Sequence, residues 1–210
     1  MSSENQTLRA NVDTLLEVAN VAAAHAATAL SRLTDRTILI TVPDLLLGPL
    51  PDLLYGPADN DRELLGVEMR ILGQVRGRIL YLMPKDDAGV LANLLLGQAS
   101  LEENPSDDLT ESCLQETANI LGGAYTGALA RMTGHDVMLS VPRLRVGKLV
   151  DLLSTSSHGE PLENESAFCV TTSMSAREVH PRLAGRLVLV SDEVALAAIL
   201  EAVRLTAAQA

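Results

Sequence analysis

The chain has 210 residues, 47% apolar and 20% charged, a balance that supports a buried core and excludes a disordered segment. Aromatics reach only 2% (one Phe, three Tyr, no Trp), which argues against an aromatic-lined ligand pocket or a base-stacking platform. A net charge of −11 repels phosphate backbones and anionic lipid heads, so neither nucleic acid nor a membrane surface is an expected partner.

The opening residues, MSSENQTLRA, show neither a basic n-region nor an apolar h-region. With two cysteines, Cys113 and Cys169, lacking metal-type spacing, the expected setting is a reducing cytoplasm. From about Asn11 to Leu33 an Ala-rich apolar period predicts a long helix. TILITVP (37–43) reads as a short strand stopped by its proline. ELLGVEMRIL (63–72) and VRGRILYL (75–82) read as strands, and DDAGVLANLLLG (86–97) as a helix. QASLEENPSDD (98–108) is turn and N-cap chemistry and reads as a linker.

The same order then recurs. A helix from about Leu109 to Met132 leads into DVMLSVP (136–142), then strands ESAFCVTTSM (165–174) and LAGRLVLV (183–190), then a helix in DEVALAAILEAVRL (192–205). The extra length of the second copy lies in a polar loop, SSHGEPLENES (156–166). The expected organisation is therefore a single domain, 1–210, made of two repeats at about 9–98 and 108–205. A chain that carries both copies has already buried the interface a single copy would use to dimerise, so a monomer is expected.

The long helices share a polar stripe. Asp13, Glu17 and Asn20 are spaced i, i+4, i+7, which puts them on one helix face. Ser112, Glu116 and Asn119 repeat that spacing, and in both copies twenty-two residues separate the Asn from the proline, Pro43 or Pro142. At ordinary residue frequencies such a match arises about once in 10⁴ to 10⁵ start positions. Duplication alone could carry the pattern along as scaffold, yet Asn is unfavourable inside a helix, so its retention in both copies, amid neighbours that have diverged, needs a reason. Beyond the two Asn residues lie small side chains, Ala23 and Ala24 in the first copy, Gly122 and Gly123 in the second. Small residues let another backbone approach an exposed amide, and close helix packing inside the chain asks for the same residues.

The stripe and its helices, LLEVANVAAAHAATALSRL and CLQETANILGGAYTGALARM, resemble the active helices of the CheC, CheX and FliY family of response-regulator phosphatases. The resemblance covers nearly the whole chain and is closest to the two-motif members. It implies a pseudo-twofold α/β fold, CheC-like, with two long motif-bearing helices packed on an antiparallel β-sheet by internal duplication. It implies hydrolysis of the aspartyl-phosphate of a CheY-type chemotaxis regulator, with the deamidase CheD as a further partner. The catalytic residues would be Asn20 and Asn119, orienting the attacking water, with Glu17 and Glu116 docking the regulator. Asp13 and Ser112 would order the helix start or touch its rim, and Ala23, Ala24, Gly122 and Gly123 would border the contact. No cofactor of its own is expected, and Mg²⁺ would arrive with the phosphorylated regulator. The four histidines, His25, His135, His158 and His180, are scattered and are not expected to bind a metal. The chain departs from the family at Ala19 and Ala118, where members commonly carry Gly, and at His25, where Asn is frequent. The alternative is a non-catalytic or weakly catalytic binding module for CheD or a response regulator.

Overall fold

The computed structural model describes residues 3–50, 53, 62–73, 76–96, 107–154, 166–176, 179–191, 197–202 and 205. Most of the expected linker (98–106) and most of the long polar loop (156–165) lie outside the described residues. Helix α1 (Ser3–Thr34) begins eight residues before its expected start and leads into strand β1 (Ile38–Pro49). Strands β2 (Glu63–Gly73) and β3 (Gly77–Pro84) pair antiparallel, and helix α2 (Lys85–Leu96) follows. The second copy runs α3 (Asp107–Thr133), β4 (Val137–Leu139), β5 (Arg143–Lys148), α4 (Leu149–Ser154), β6 (Ser166–Ala176) and β7 (Val179–Ser191). Residues 197–202 are helical.

Both long helices end by the same device. The Thr34 hydroxyl donates to the Leu30 carbonyl at 2.8 Å, and the Thr133 hydroxyl to the Leu129 carbonyl at 2.9 Å. The next residue turns left-handed in each copy, Asp35 at φ 52° and Gly134 at φ 69°. Glycine adopts that conformation without penalty, whereas Asp35 carries a Cβ into it.

The seven strands form one antiparallel sheet in the order β1-β6-β7-β3-β2, with β4 and β5 both lying along the free edge of β2. Exchange the copies (β1 for β4 and β5, β2 for β6, β3 for β7) and the order reads the same backwards. A twofold relation requires one residue of the central pair to face its own counterpart. Aligning GRILYL with GRLVLV puts Leu80 over Val188, and Leu80 pairs with Val188.

Of the two prolines, Pro142 follows a strand that ends as expected, and Pro43 does not. Pro43 does not stop β1, which runs on to Pro49 with its pairing to β6 shifted between Thr41 and Asp44. Pro142 falls at the matching place, where the second copy breaks into β4 and β5. A residue without an N–H interrupts the ladder at an outer strand and the chain resumes one register along.

The sheet is covered on both faces, which is why its inner strands read as continuous apolar runs and not as alternation. On one face Val67, Met69, Ile71, Ile79, Tyr81, Phe168, Val170, Leu187 and Leu189 pack against α1 and α3. On the other, Leu64, Leu80, Leu82, Cys169, Val188 and Val190 are covered by Leu149 and Leu152 of α4 and by Leu50. Leu50 and Leu149 stand at matching places in a second internal repeat, LPDLL and LVDLL, which the sequence reading passed over. No helix among the described residues is long and apolar enough to cross a membrane.

Candidate functional site

The two long helices pack on each other and on the sheet, and burial follows the same rule in both. On α1 the buried positions are Leu15, Ala19, Ala22, Ala23, Ala26 and Leu30. Shifted by 99 residues, Leu114, Ala118, Leu121, Gly122, Tyr125 and Leu129 are buried on α3. The 3.6-residue period then turns the remaining face outward. Asp13, Glu17, Asn20 and Ala24 are exposed, and so are their counterparts Ser112, Glu116, Asn119 and Gly123.

The structure thus brings each Glu and Asn together on one solvent-facing helix surface. The Asn20 amide donates to the Leu16 carbonyl at 2.9 Å, which leaves its oxygen facing outward. The Asn119 side-chain amide makes no hydrogen bond with another described residue. Around the first stripe the surface dips into a shallow trough lined by Asp13, Leu16, Glu17, Asn20, Val21 and Ala24. Beside the second stripe the Gln115 amide donates to a Glu111 carboxylate oxygen at 2.9 Å.

Two of the expected contact residues are not on this surface. Ala23 is 1% exposed and packs in the core with its neighbours Ala22 and Ala26. Gly122 is buried against the sheet: a Cβ there would lie 2.7 Å from Met69 Cε and 3.1 Å from Leu139 Cδ1. Both small residues serve the packing of their own helix, so neither borders a docked partner. Gly123 is the opposite case, with nothing within 4 Å of an added Cβ. Ala19 and Ala118, the departures from the family pattern, are also buried at 3% and 0% exposure, so their methyl groups face the core and not a partner.

Sequence reasoning missed Leu16 and Val21. They sit on opposite sides of the polar stripe, three residues after Asp13 and one after Asn20. The signal was a large apolar residue on each shoulder of a polar face. It also missed a buried ion pair across the β2–β3 hairpin: Arg78 Nε lies 3.9 Å from Glu68 Oε1, with the two residues 8% and 4% exposed. Among the described residues no group of three or more His, Cys, Asp or Glu side chains is arranged to hold a metal ion.

Comparison with known proteins finds similar sequences and folds. The CheC-like family model matches residues 12–47, the segment that carries the first stripe and β1. The CheY-P phosphatase CheC of Bacillus subtilis (strain 168) is 27% identical over 194 residues, covering 91% of this chain and 93% of that protein. The crystal structure of Thermotoga maritima FliY superposes with a TM-score of 0.73 at 20% identity, covering 97% of this chain and 98% of the other. FliM in the FliG–FliM complex of H. pylori shares the fold at TM-score 0.56 and 12% identity, covering 96% of this chain and 100% of the other. Matched by the family model across its first stripe and aligned with a CheC along most of its length, this chain resembles CheC in sequence and FliY in fold.

Proposed function

We propose that this protein is a chemotaxis phosphatase that hydrolyses the aspartyl-phosphate of a CheY-type response regulator. One observation carries the reading: the Glu/Asn stripe occurs twice, on the exposed face of both long helices, in a chain aligned with a CheY-P phosphatase. An aspartyl-phosphate is an activated acyl phosphate. Its hydrolysis needs a water in line with the bond that breaks, between phosphorus and the carboxylate oxygen. Asn20 and Asn119 hold that water by hydrogen bonds while never titrating, so orientation and not base strength supplies the rate. Phosphate and a free Asp carboxylate leave, and solvent takes the proton. Glu17 and Glu116, one turn earlier, pair with a cationic group beside the regulator's phosphate and keep the amides in register. Mg²⁺ is the regulator's own. Ala24, Gly123, Asp13 and Ser112 border the contact, and the protein works as a cytoplasmic monomer.

Asn20→Ala and Asn119→Ala each reduce accelerated dephosphorylation of a phosphorylated CheY-type regulator, and the double variant abolishes it. Full activity in the double variant overturns this mechanism. The second reading is a binding module for a regulator or for CheD, favoured by the occurrence of the same fold in a FliM bound to FliG. It predicts tight binding of the activated regulator with no faster loss of phosphate.

A further inference from the structure

The two stripes are alike in their Glu and Asn and unlike in what flanks them. Beside the first stripe stand Leu16 on one shoulder and Val21 on the other, both lining the trough that holds Glu17 and Asn20. Val21 is 47% exposed, a large apolar side chain left open to water next to the motif amide. Leu16 is half-buried, its inner side packed on the core and its remainder facing the trough. The matching shoulders of the second stripe are Gln115 and Ile120. Ile120 is half-buried against the core, and the Gln115 amide is tethered to Glu111.

We propose that Leu16 and Val21 are specificity-determining residues, an apolar wall on which the activated regulator docks at the first site and which Gln115 denies to the second. The inference rests on the phosphatase reading and deepens it: the two sites share their chemistry and differ in how tightly they hold the regulator. Glu17 and Glu116 gain little from an exposed ion pair, because water and salt screen it. Apolar area covered on docking is not screened, and Leu16 with Val21 supplies it beside the amide. A glutamine of similar length has to give up water, and here its bond to Glu111, before a partner covers it. Ala24 and Gly123 are both small and do not separate the sites in this way.

The test isolates each site. Glu116→Lys with Asn119→Ala silences the second, and Glu17→Lys with Asn20→Ala silences the first. Two readouts are taken on a CheY-type regulator: Kd for its beryllofluoride-activated form, and KM and kcat for dephosphorylation. With only the first site active, Leu16→Gln and Val21→Thr each raise Kd and KM about fivefold and leave kcat within about twofold. With only the second active, Gln115→Leu lowers Kd and KM by a similar factor. Val21→Thr changes an exposed surface position, so it remains readable if Leu16→Gln disturbs the helix. Unchanged Kd in Val21→Thr and Gln115→Leu overturns the proposal, and so does a fall in kcat at constant KM. Loss of the Kd shift together with absent phosphatase activity overturns both readings. The expected Kd shifts with no phosphatase activity overturn the enzyme and keep the docking wall.

Discussion

Gly122 and Gly123 are neighbours with opposite duties. Gly122→Val drives methyl groups into Met69 and Leu139 and is expected to cost about 1–3 kcal/mol, since the packed sheet below yields little. Gly123→Ala adds a methyl in open space and is expected to stabilise the helix by about 0.5–1 kcal/mol. Thermal unfolding of the two variants reads both signs. Asp35 gives a third residue-level expectation. It holds φ 52° where the second copy has Gly134, so Asp35→Gly is expected to stabilise by a few tenths to about 1 kcal/mol, measured by urea unfolding. Cys169 is buried on the sheet and its thiol is pushed up to about 11, chiefly by that burial. It is expected to resist iodoacetamide at neutral pH in the native protein and to react once guanidinium unfolds it.

At the scale of the element, the long helices carry a cost that their packing does not explain. Asn20 and Asn119 are exposed, and an exposed Asn in a helix interior is less favourable than Ala by up to about 0.7 kcal/mol. The Asn20→Ala, Asn119→Ala double variant is therefore expected to melt slightly higher than the parent while losing the proposed phosphatase activity. A paired gain and loss of this kind separates a functional residue from a structural one, because a structural role would lower the melting temperature. The two long helices, apart from the first eight residues of α1, and their stripes were legible from periodicity alone, since a 3.6-residue repeat sorts faces without knowledge of the partner element. Which small residues faced the core was not legible. Ala23 and Ala24 differ by one position, about 100° around the helix. Only the neighbouring helix and sheet decide which of them is covered. Pro43 was misread for a related reason: a missing donor ends a strand only when the partner strand cannot shift, and β6 lets β1 continue one register along.

At the scale of the whole molecule, the Glu68–Arg78 pair joins adjacent strands on the sheet face away from the long helices. Both residues are nearly buried, so Glu68→Ala takes a buried countercharge from Arg78 and is expected to destabilise by about 3 kcal/mol, seen in denaturant midpoint. Glu68→Met with Arg78→Leu is expected to recover much of that loss, because two apolar side chains need no mutual solvation. Duplication was readable from the repeated order of elements and the Gly-Arg strands. The arrangement of those strands was not. The sequence places β2 and β3 beside each other, yet says nothing of β7 pairing with β3 or β6 lying between β1 and β7.

The sequence by itself determined most of the elements, the twofold repetition, and the presence of Glu and Asn on one face of each long helix, because these depend on local spacing; β5, α4 and the continuation of β1 past Pro43 it did not determine. Tertiary structure decided that both stripes face solvent, that Ala23 and Gly122 belong to the core, and that Leu16 and Val21 flank the first stripe. Burial is a property of what packs against a residue, and its partners here come from strands and helices far away in the chain.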